Sequence, residues 1–390
     1  MKICDLTQFY SPVSGGVKRY LAEKTAYVRA HTGDRHILVV PGEESSRRED
    51  GPLTVYTISS PLVSRTSRYR ALLNLPAVER ILEAEQPDII ECGDPYQVAW
   101  KALASGRALG IPVVAFYHSH FPEAYFRSTT KFFGETATHM VMDIARRYVR
   151  ALYSRFARTL VPCAPLGAVL ADWGVGNVSV VDLGVDPGIF HPAREPGDSA
   201  RAQFKLGPGT TLLLYVGRLS PEKNTQTLFA AFGRLCAGYP GRFHLLVVGD
   251  GQQRRQVRTL QKRTGAVSWL PYCSDPRELA RLYRAADLFV HPGVQETFGL
   301  VTLESQACGT PVVGVRGSYM DRIVFSDLGH WAAENSPESL ATAIEGMSHQ
   351  DLRAIGRQSS GLVAERYEWR RVFDTLFGVY RDVVGRFRPE

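Results

Sequence analysis

The sequence has no apolar run approaching the ~18 residues that a membrane-spanning helix needs. It has six cysteines, no two of them close together and no Cys-x-x-Cys, so neither a disulfide framework nor a redox motif is expected; buried or idle thiols in a reducing compartment are. The opening Met1-Lys2-Ile3-Cys4-Asp5 carries an acid where a signal peptide would be apolar. Basic residues are not gathered into a stripe with interleaved aromatics, which argues against nucleic acid as a partner. The expected location is therefore cytoplasmic.

What is present is ordinary for a folded chain: 390 residues, 44% hydrophobic, 22% charged. That length suits two domains of just under 200 residues each. The net charge of +7 favours anionic partners such as nucleotide diphosphates or acidic lipid. Arg47-Arg48, flanked by Glu43, Glu44, Glu49 and Asp50, reads as a mixed, solvated loop.

Short apolar strands alternate with helical patterns throughout, the pattern of parallel α/β sheets. Strands are expected at Lys2–Leu6, Arg35–Val40, Leu53–Ile58, Asp88–Glu91, Pro112–Tyr117, Thr159–Val161 and Val178–Val181. Helices are expected at Gly16–His31, Arg68–Glu85, Tyr96–Leu109 and Glu135–Arg158. A polar stretch from Ala193 to Pro208 reads as a linker. A second series follows: strands Thr211–Val216, Phe243–Val248, Val267–Trp269, Asp287–Val290 and Pro311–Val315, with helices Thr225–Leu235, Gln252–Arg263, Asp275–Ala285 and Phe298–Cys308. The tail, Ser336 to Arg386, is helical, and its last helix is expected to return to the first domain. The expected division is a first domain at 1–195, completed by residues from about 369 to 390, and a second at 205–368.

Four segments carry chemistry. Ser14-Gly15-Gly16-Val17-Lys18-Arg19 follows the first strand and opens a helix, where glycines let backbone amides approach a phosphate. It is not the Gly-x-Gly-x-x-Gly fingerprint, and an ordinary strand–helix turn is an equal reading. Val216-Gly217-Arg218-Leu219-Ser220-Pro221-Glu222-Lys223-Asn224 sets Arg218 and Lys223 around a strand end, where both could oppose charge on a departing diphosphate; two solvated surface cations are the alternative. Glu296 and Glu304 stand with seven residues between them, one on a loop and one in the following helix. Carboxylates suit vicinal hydroxyls, because each oxygen accepts hydrogen bonds. Tyr117-His118-Ser119-His120 ends a strand, so a histidine there faces the ligand crevice of a doubly wound sheet, or is structural.

Together these segments resemble the family-four retaining glycosyltransferases, whose GT-B fold sets two Rossmann-like α/β domains about a cleft. The residues that carry the resemblance are Gly15-Gly16, His118, Gly217 to Lys223, the Glu296-x7-Glu304 pair with Phe298-Gly299-Leu300, and Leu183-Gly184-Val185-Asp186 with Phe190-His191-Pro192. A finer likeness, to phosphatidylinositol-mannoside and other α-mannosyltransferases, rests on Phe9 to Gly16 and on His291 to Leu300. The chain departs from the family's glycine-rich pattern at Gly314 to Asp321, which bears on the donor.

The resemblance implies a hexosyltransferase that uses a nucleotide-diphosphate sugar, GDP-mannose first, with a UDP-sugar as the alternative. The acceptor is a hydroxyl on a glycan or lipid. Arg218 and Lys223 bind the diphosphate, Glu296 the donor sugar and Glu304 the ribose. Phe298, Gly299 and Leu300 border the donor, and Tyr272 lies near the base. Gly15 and Gly16 lie against the diphosphate or acceptor, and His118 beside the donor sugar, with His120 as the second choice. No Asp-x-Asp occurs, so no metal and no other cofactor is expected. A GT-B phosphorylase, a nucleotide-sugar epimerase and an idle nucleotide-binding module are the competing readings. Region Arg127–Arg158 mixes arginines with apolar residues, either as a helix lying on anionic lipid at the inner face of the membrane or as an ordinary core-facing helix.

Overall fold

The computed structural model describes residues 1–388 except 12–14, 64–67, 119, 121–138, 195–199, 295 and 319. Two compact units result: Met1–Leu183 with Trp369–Glu390, and Gly184–Glu368. The expected return of the last helix to the first unit is observed.

The first unit is built on an eight-stranded sheet, in the order β3-β4-β2-β1-β5-β6-β7-β8. Its strands are β1 (Lys2–Leu6), β2 (Arg35–Gly42), β3 (Ser46–Asp50), β4 (Leu53–Ser59), β5 (Ile89–Cys92), β6 (Val113–Phe116), β7 (Arg158–Val161) and β8 (Val178–Val180). All pairs are parallel except β3–β4. β5 and β6 are buried at every position, as apolar strands covered on both faces should be. The helices are α1 (Gly16–His31), α2 (Leu75–Glu85), α3 (Gln97–Leu109), α4 (described over 139–153), α5 (Ala164–Asp172) and the returning α12 (Trp369–Arg386).

The structure departs from the local expectations in three places. Residues 46–50 are an exposed antiparallel edge strand and not a loop, held by pairing to β4 and by Arg47 Nε donating to the Tyr56 hydroxyl at 2.8 Å. Its charged side chains suit a sheet edge, because they discourage pairing with another chain. Helix α2 begins at Leu75 rather than Arg68. Asn74 Oδ1 accepts the Ala77 amide at 3.2 Å and Pro76 occupies the first turn, a strong start signal. Helix α5 stands where no helix is expected; it starts with Pro165 in its first turn and ends before Gly174, whose φ is +88°.

The second unit carries a fully parallel five-stranded sheet, in the order β11-β10-β9-β12-β13. Its strands are β9 (Thr211–Val216), β10 (Phe243–Val248), β11 (Val267–Leu270), β12 (Leu288–His291) and β13 (Val312–Gly314). Its helices are α6 (Thr225–Gly238), α7 (Arg254–Thr264), α8 (Pro276–Ala285), α9 (Leu300–Ala307), α10 (Pro337–Met347) and α11 (Leu352–Tyr367). The supposed linker is anchored to this unit over its described part. Arg201 donates to Ala285 O and Asp287 Oδ2 through one nitrogen, at 3.0 and 2.8 Å, and to Thr210 O through the other, at 3.0 Å. The helical tail is broken at Glu368, whose extended backbone bridges to Val185.

Candidate active site

Parallel sheets bind ligands where the strand order reverses, because the loops diverge there beyond the strand ends. In the second unit the chain runs outward from β9 through β10 to β11, then crosses back to β12 beside β9. The switch point therefore lies between β9 and β12. The loops after these two strands carry Arg218, Lys223 and Glu296.

Those loops are tightly determined. Tyr215 donates its hydroxyl to Arg218 O at 2.9 Å. A short 3-10 turn, Pro221–Lys223, leads to Asn224 at φ +55°, which donates to Pro292 O at 2.8 Å and so ties the β9 loop to the β12 loop. The loop after β10 crosses close by: a Cβ on Gly249, at φ +140°, would lie 1.9 Å from Gly217 O. Only glycine allows that approach. This second glycine turn, Gly249-Asp250-Gly251, was not singled out in the sequence; its signal was a glycine pair directly after a strand.

Lys223 Nζ is ion-paired with Glu296 Oε1, the two side chains 28% and 16% exposed. Burial acts to raise the Glu296 carboxyl, but Lys223, then His291, with Arg218 further down, outweigh it and bring it to about 2. His291, which ends β12, stands 3.6 Å from the same oxygen. Its Nδ1 accepts the Gly293 amide at 3.2 Å, so in the neutral ring Nε2 carries the hydrogen and presents it to Glu296. Burial first, with Lys223 adding, pushes His291 down to about 4. Sequence reasoning assigned this histidine no role of its own. Arg218 is half exposed and within 3.4 Å of Glu222 Oε1.

Helix α9 opens next to these groups. Gly299, at φ +92°, precedes it, and a Cβ there would meet the Met320 side chain at 2.8 Å. No acidic side chain lies in its first turn and no side chain caps it, so the N-terminal amides after Phe298, Gly299 and Leu300 suit an anion. Glu304 is buried one turn on, and its Oε2 accepts the Tyr283 hydroxyl at 3.1 Å. Tyr272, beyond the end of β11, is 51% exposed. Gln295 and Tyr319 lie outside the described residues.

His118, Gly15 and Gly16 belong to the first unit, whose switch point falls between β1 and β5. His118 stacks on Phe116 at 4.1 Å and meets Tyr20 edge-on at 5.1 Å. Burial, with Lys24 adding, brings it down to about 3, so the ring is neutral near pH 7. His120 is buried against Trp173 and bonded to the Tyr117 hydroxyl at 3.1 Å, a structural setting. A Cβ on Gly15 would meet nothing within 4 Å, so space is open there. Ser14 and Ser119 lie outside the described residues.

Two family models match the chain. One, described as "Glycosyltransferase Family 4", covers residues 14–188, and the other, "Glycosyl transferases group 1", covers residues 198–358. A GDP-mannose-dependent alpha-(1-6)-phosphatidylinositol dimannoside mannosyltransferase of Mycobacterium tuberculosis is 32% identical over 95% of this chain and 93% of that protein. A GDP-mannose-dependent alpha-mannosyltransferase of Corynebacterium glutamicum is 25% identical over 92% and 87%. Among solved structures, a sucrose-phosphate synthase from Thermosynechococcus elongatus superposes with a TM-score of 0.76 at 21% identity, covering 98% of this chain and 99% of that one. A glycosyltransferase model on each half, and a relative alike from end to end, place the chain among the group 1, family 4 glycosyltransferases: it is a hexosyltransferase of the GT-B fold.

Proposed function

We propose that the chain transfers mannose from GDP-mannose, with retention, to a hydroxyl of a glycan or lipid-linked acceptor, and needs no metal ion. The observation that carries this is the half-buried Lys223–Glu296 pair at the second unit's switch point, beside the uncapped start of α9. Arg218, Lys223 and the α9 amides take the diphosphate and stabilise the charge it gains as it leaves. Glu296, held ionised, binds donor-sugar hydroxyls, and Glu304 the ribose. Tyr272 lies on the base side. In the first unit the open space at Gly15 leaves room for the diphosphate or acceptor, with Gly16 next to it, and His118 serves the sugar as a neutral ring. The anomeric C–O bond to the diphosphate breaks, a diphosphate oxygen takes the acceptor proton, and the acceptor oxygen bonds to the anomeric carbon from the same face. The relatives named for GDP-mannose support this choice of donor.

The test is thermal unfolding with GDP, UDP, ADP and TDP, each with and without EDTA. A nucleotide at 100 times its Kd stabilises by about 2.7 kcal/mol, which raises the midpoint by several degrees. The expected result is a shift with GDP that EDTA leaves unchanged. A shift with UDP alone moves the reading to a glucosyl or N-acetylglucosaminyl donor. Loss of the shift in EDTA overturns metal independence, and no shift with any nucleotide overturns the whole reading.

Peripheral contact with anionic lipid belongs to the same proposal. Helix α4 turns Val149, Leu152 and Tyr153 into the core but leaves Met140 and Ile144 each 61% exposed, on the side that also carries exposed Arg147. Among the described residues no helix is long and apolar enough to cross a membrane. Co-sedimentation with vesicles containing phosphatidylserine should be lost when Arg147 and Arg150 are both changed to Glu. Binding that persists sinks the contact.

A further inference from the structure

Three arginines of the first unit border one groove with no acid to answer them. Arg147 and Arg150 on α4, and Arg155 in the turn after it, line an open cavity of about 630 Å³. Each is exposed, and among the described residues none is ion-paired and no acid lines the cavity. The acids nearest in the chain do not balance them. Asp143 is taken by Arg146 at 3.5 Å, and Asp172, two residues before Gly174, pairs with none of the three. The dipole of α4 favours a cation in its last turn. Arg147 and Arg150 nevertheless stand three apart, on one face of the helix, where like charges repel.

The walls of the groove hold these side chains in place. Gly174, at φ +88°, lets Arg150 lie across it: a Cβ there would be 3.0 Å from Arg150 Nε. The Arg155 guanidinium lies 5.4 Å over the Trp100 ring and also donates to Ala151 O. Across the groove Asn177 Nδ2 donates to Tyr153 O at 3.0 Å and to Phe156 O at 2.6 Å, which ties the entry of β8 to the entry of β7. Ser154 Oγ reaches Gly174 O only at 3.5 Å, and a Cβ on Gly176 would meet nothing within 4 Å. The groove thus adds a weakly held hydroxyl donor and open space to its cations. It lies where the chain enters β7 and β8, so in these parallel strands it is at the end opposite to the one where β6 delivers His118.

We propose that this groove is a phosphate-binding site, separate from the transfer site, in which Arg147 and Arg150 grip one phosphate group and Arg155 and Ser154 add donors. A guanidinium is a planar fork that meets phosphate oxygens two at a time. A lipid headgroup or a soluble phosphate monoester supplies the same group. The site goes beyond the lipid contact above, which asks only for positive charge along α4.

The test is calorimetric binding of sn-glycerol 3-phosphate, at constant ionic strength and with excess GDP to occupy the donor groups. Co-sedimentation with phosphatidylcholine vesicles containing phosphatidic acid runs beside it. Arg147→Gln and Arg150→Gln are each compared with Arg146→Gln, whose side chain lies over Trp173 and does not line the groove. Each of the first two should weaken binding about tenfold, and Arg146→Gln by less than about twofold. All three should melt within about 2 °C of the native protein. This pattern with glycerol phosphate assigns a soluble phosphate, and with the vesicles alone a lipid headgroup; either supports the site. Equal losses in all three variants mean diffuse surface charge and overturn it, as does failure of the native protein to bind either probe. Failure of the proposed function is distinguishable: none of these variants alters a donor residue, and that failure shows as no thermal shift with any nucleotide.

Discussion

Both sheets place a lysine against carboxylates at the point where strand order reverses, yet the two clusters serve different ends. In the first unit Lys24 is wholly buried, 2.8 Å from Asp5 Oδ1, 3.0 Å from Glu91 Oε1 and 2.9 Å from the Tyr380 hydroxyl. His36 closes on Asp5 at 2.5 Å, and Tyr20 on Glu91 at 3.0 Å. Every partner is supplied from within, including one from the returning α12. In the second unit Lys223 and Glu296 keep 28% and 16% of their surface. A saturated, dry cluster joins elements; an unsaturated, wetted one is available to a ligand. Residue type does not separate the two, but exposure and the completeness of partners do.

The largest effect should come from exchanging the same lysine for methionine in each cluster. Lys24→Met strands Asp5 and Glu91 without their cation, which should destabilise by about 3–5 kcal/mol, or roughly 10 °C in the midpoint of a unit this size. Lys223→Met breaks a partly exposed pair and should change stability by about 1 kcal/mol or less, while transfer falls about 100-fold. Thermal melts and turnover on the two variants decide it; the comparison fails if Lys223→Met melts as early as Lys24→Met.

A smaller effect separates the clusters by pH. Burial raises Glu91 to about 7, above its unfolded value, so its contribution to stability is full at low pH and is lost as pH rises through 7. Glu296 is depressed to about 2, so its contribution is present above the unfolded value and is lost only as pH falls toward 2. Melting midpoints at pH 5 and pH 8 should therefore show Glu91→Gln gaining on the native protein as pH rises. Glu296→Gln should differ from the native protein equally at both. A pH-independent Glu91→Gln difference would remove the distinction.

The alternation of strands and helices, the two-unit organisation and the charged residues at the second unit's strand ends were legible because they rest on local signals: apolar period, turn residues and helix starts. Every strand expected of the second unit is found within a residue or two of its place. The errors were also local in origin. Charged residues 46–50 read as loop because edge strands need no apolar face, and α2 was drawn too long because its periodicity overran Asn74 and Pro76. His291 had no separate signal, since its relation to Glu296 depends on how the β12 loop doubles back through Gly293.

By itself the sequence determined the element types, the family and which cations and acids stand at strand ends. Only the tertiary structure decided which of them meet. Lys223 and Glu296 are 73 residues apart, and β12 must insert beside β9 for them to pair. Lys24 lies in a helix that would pass for solvated, and it becomes the centre of a buried network because β5 lands beside β1 and brings Glu91 across 67 residues. The physical reason is that periodicity reports the face a residue occupies within its own element, whereas desolvation and the count of hydrogen-bond partners depend on contacts from distant parts of the chain.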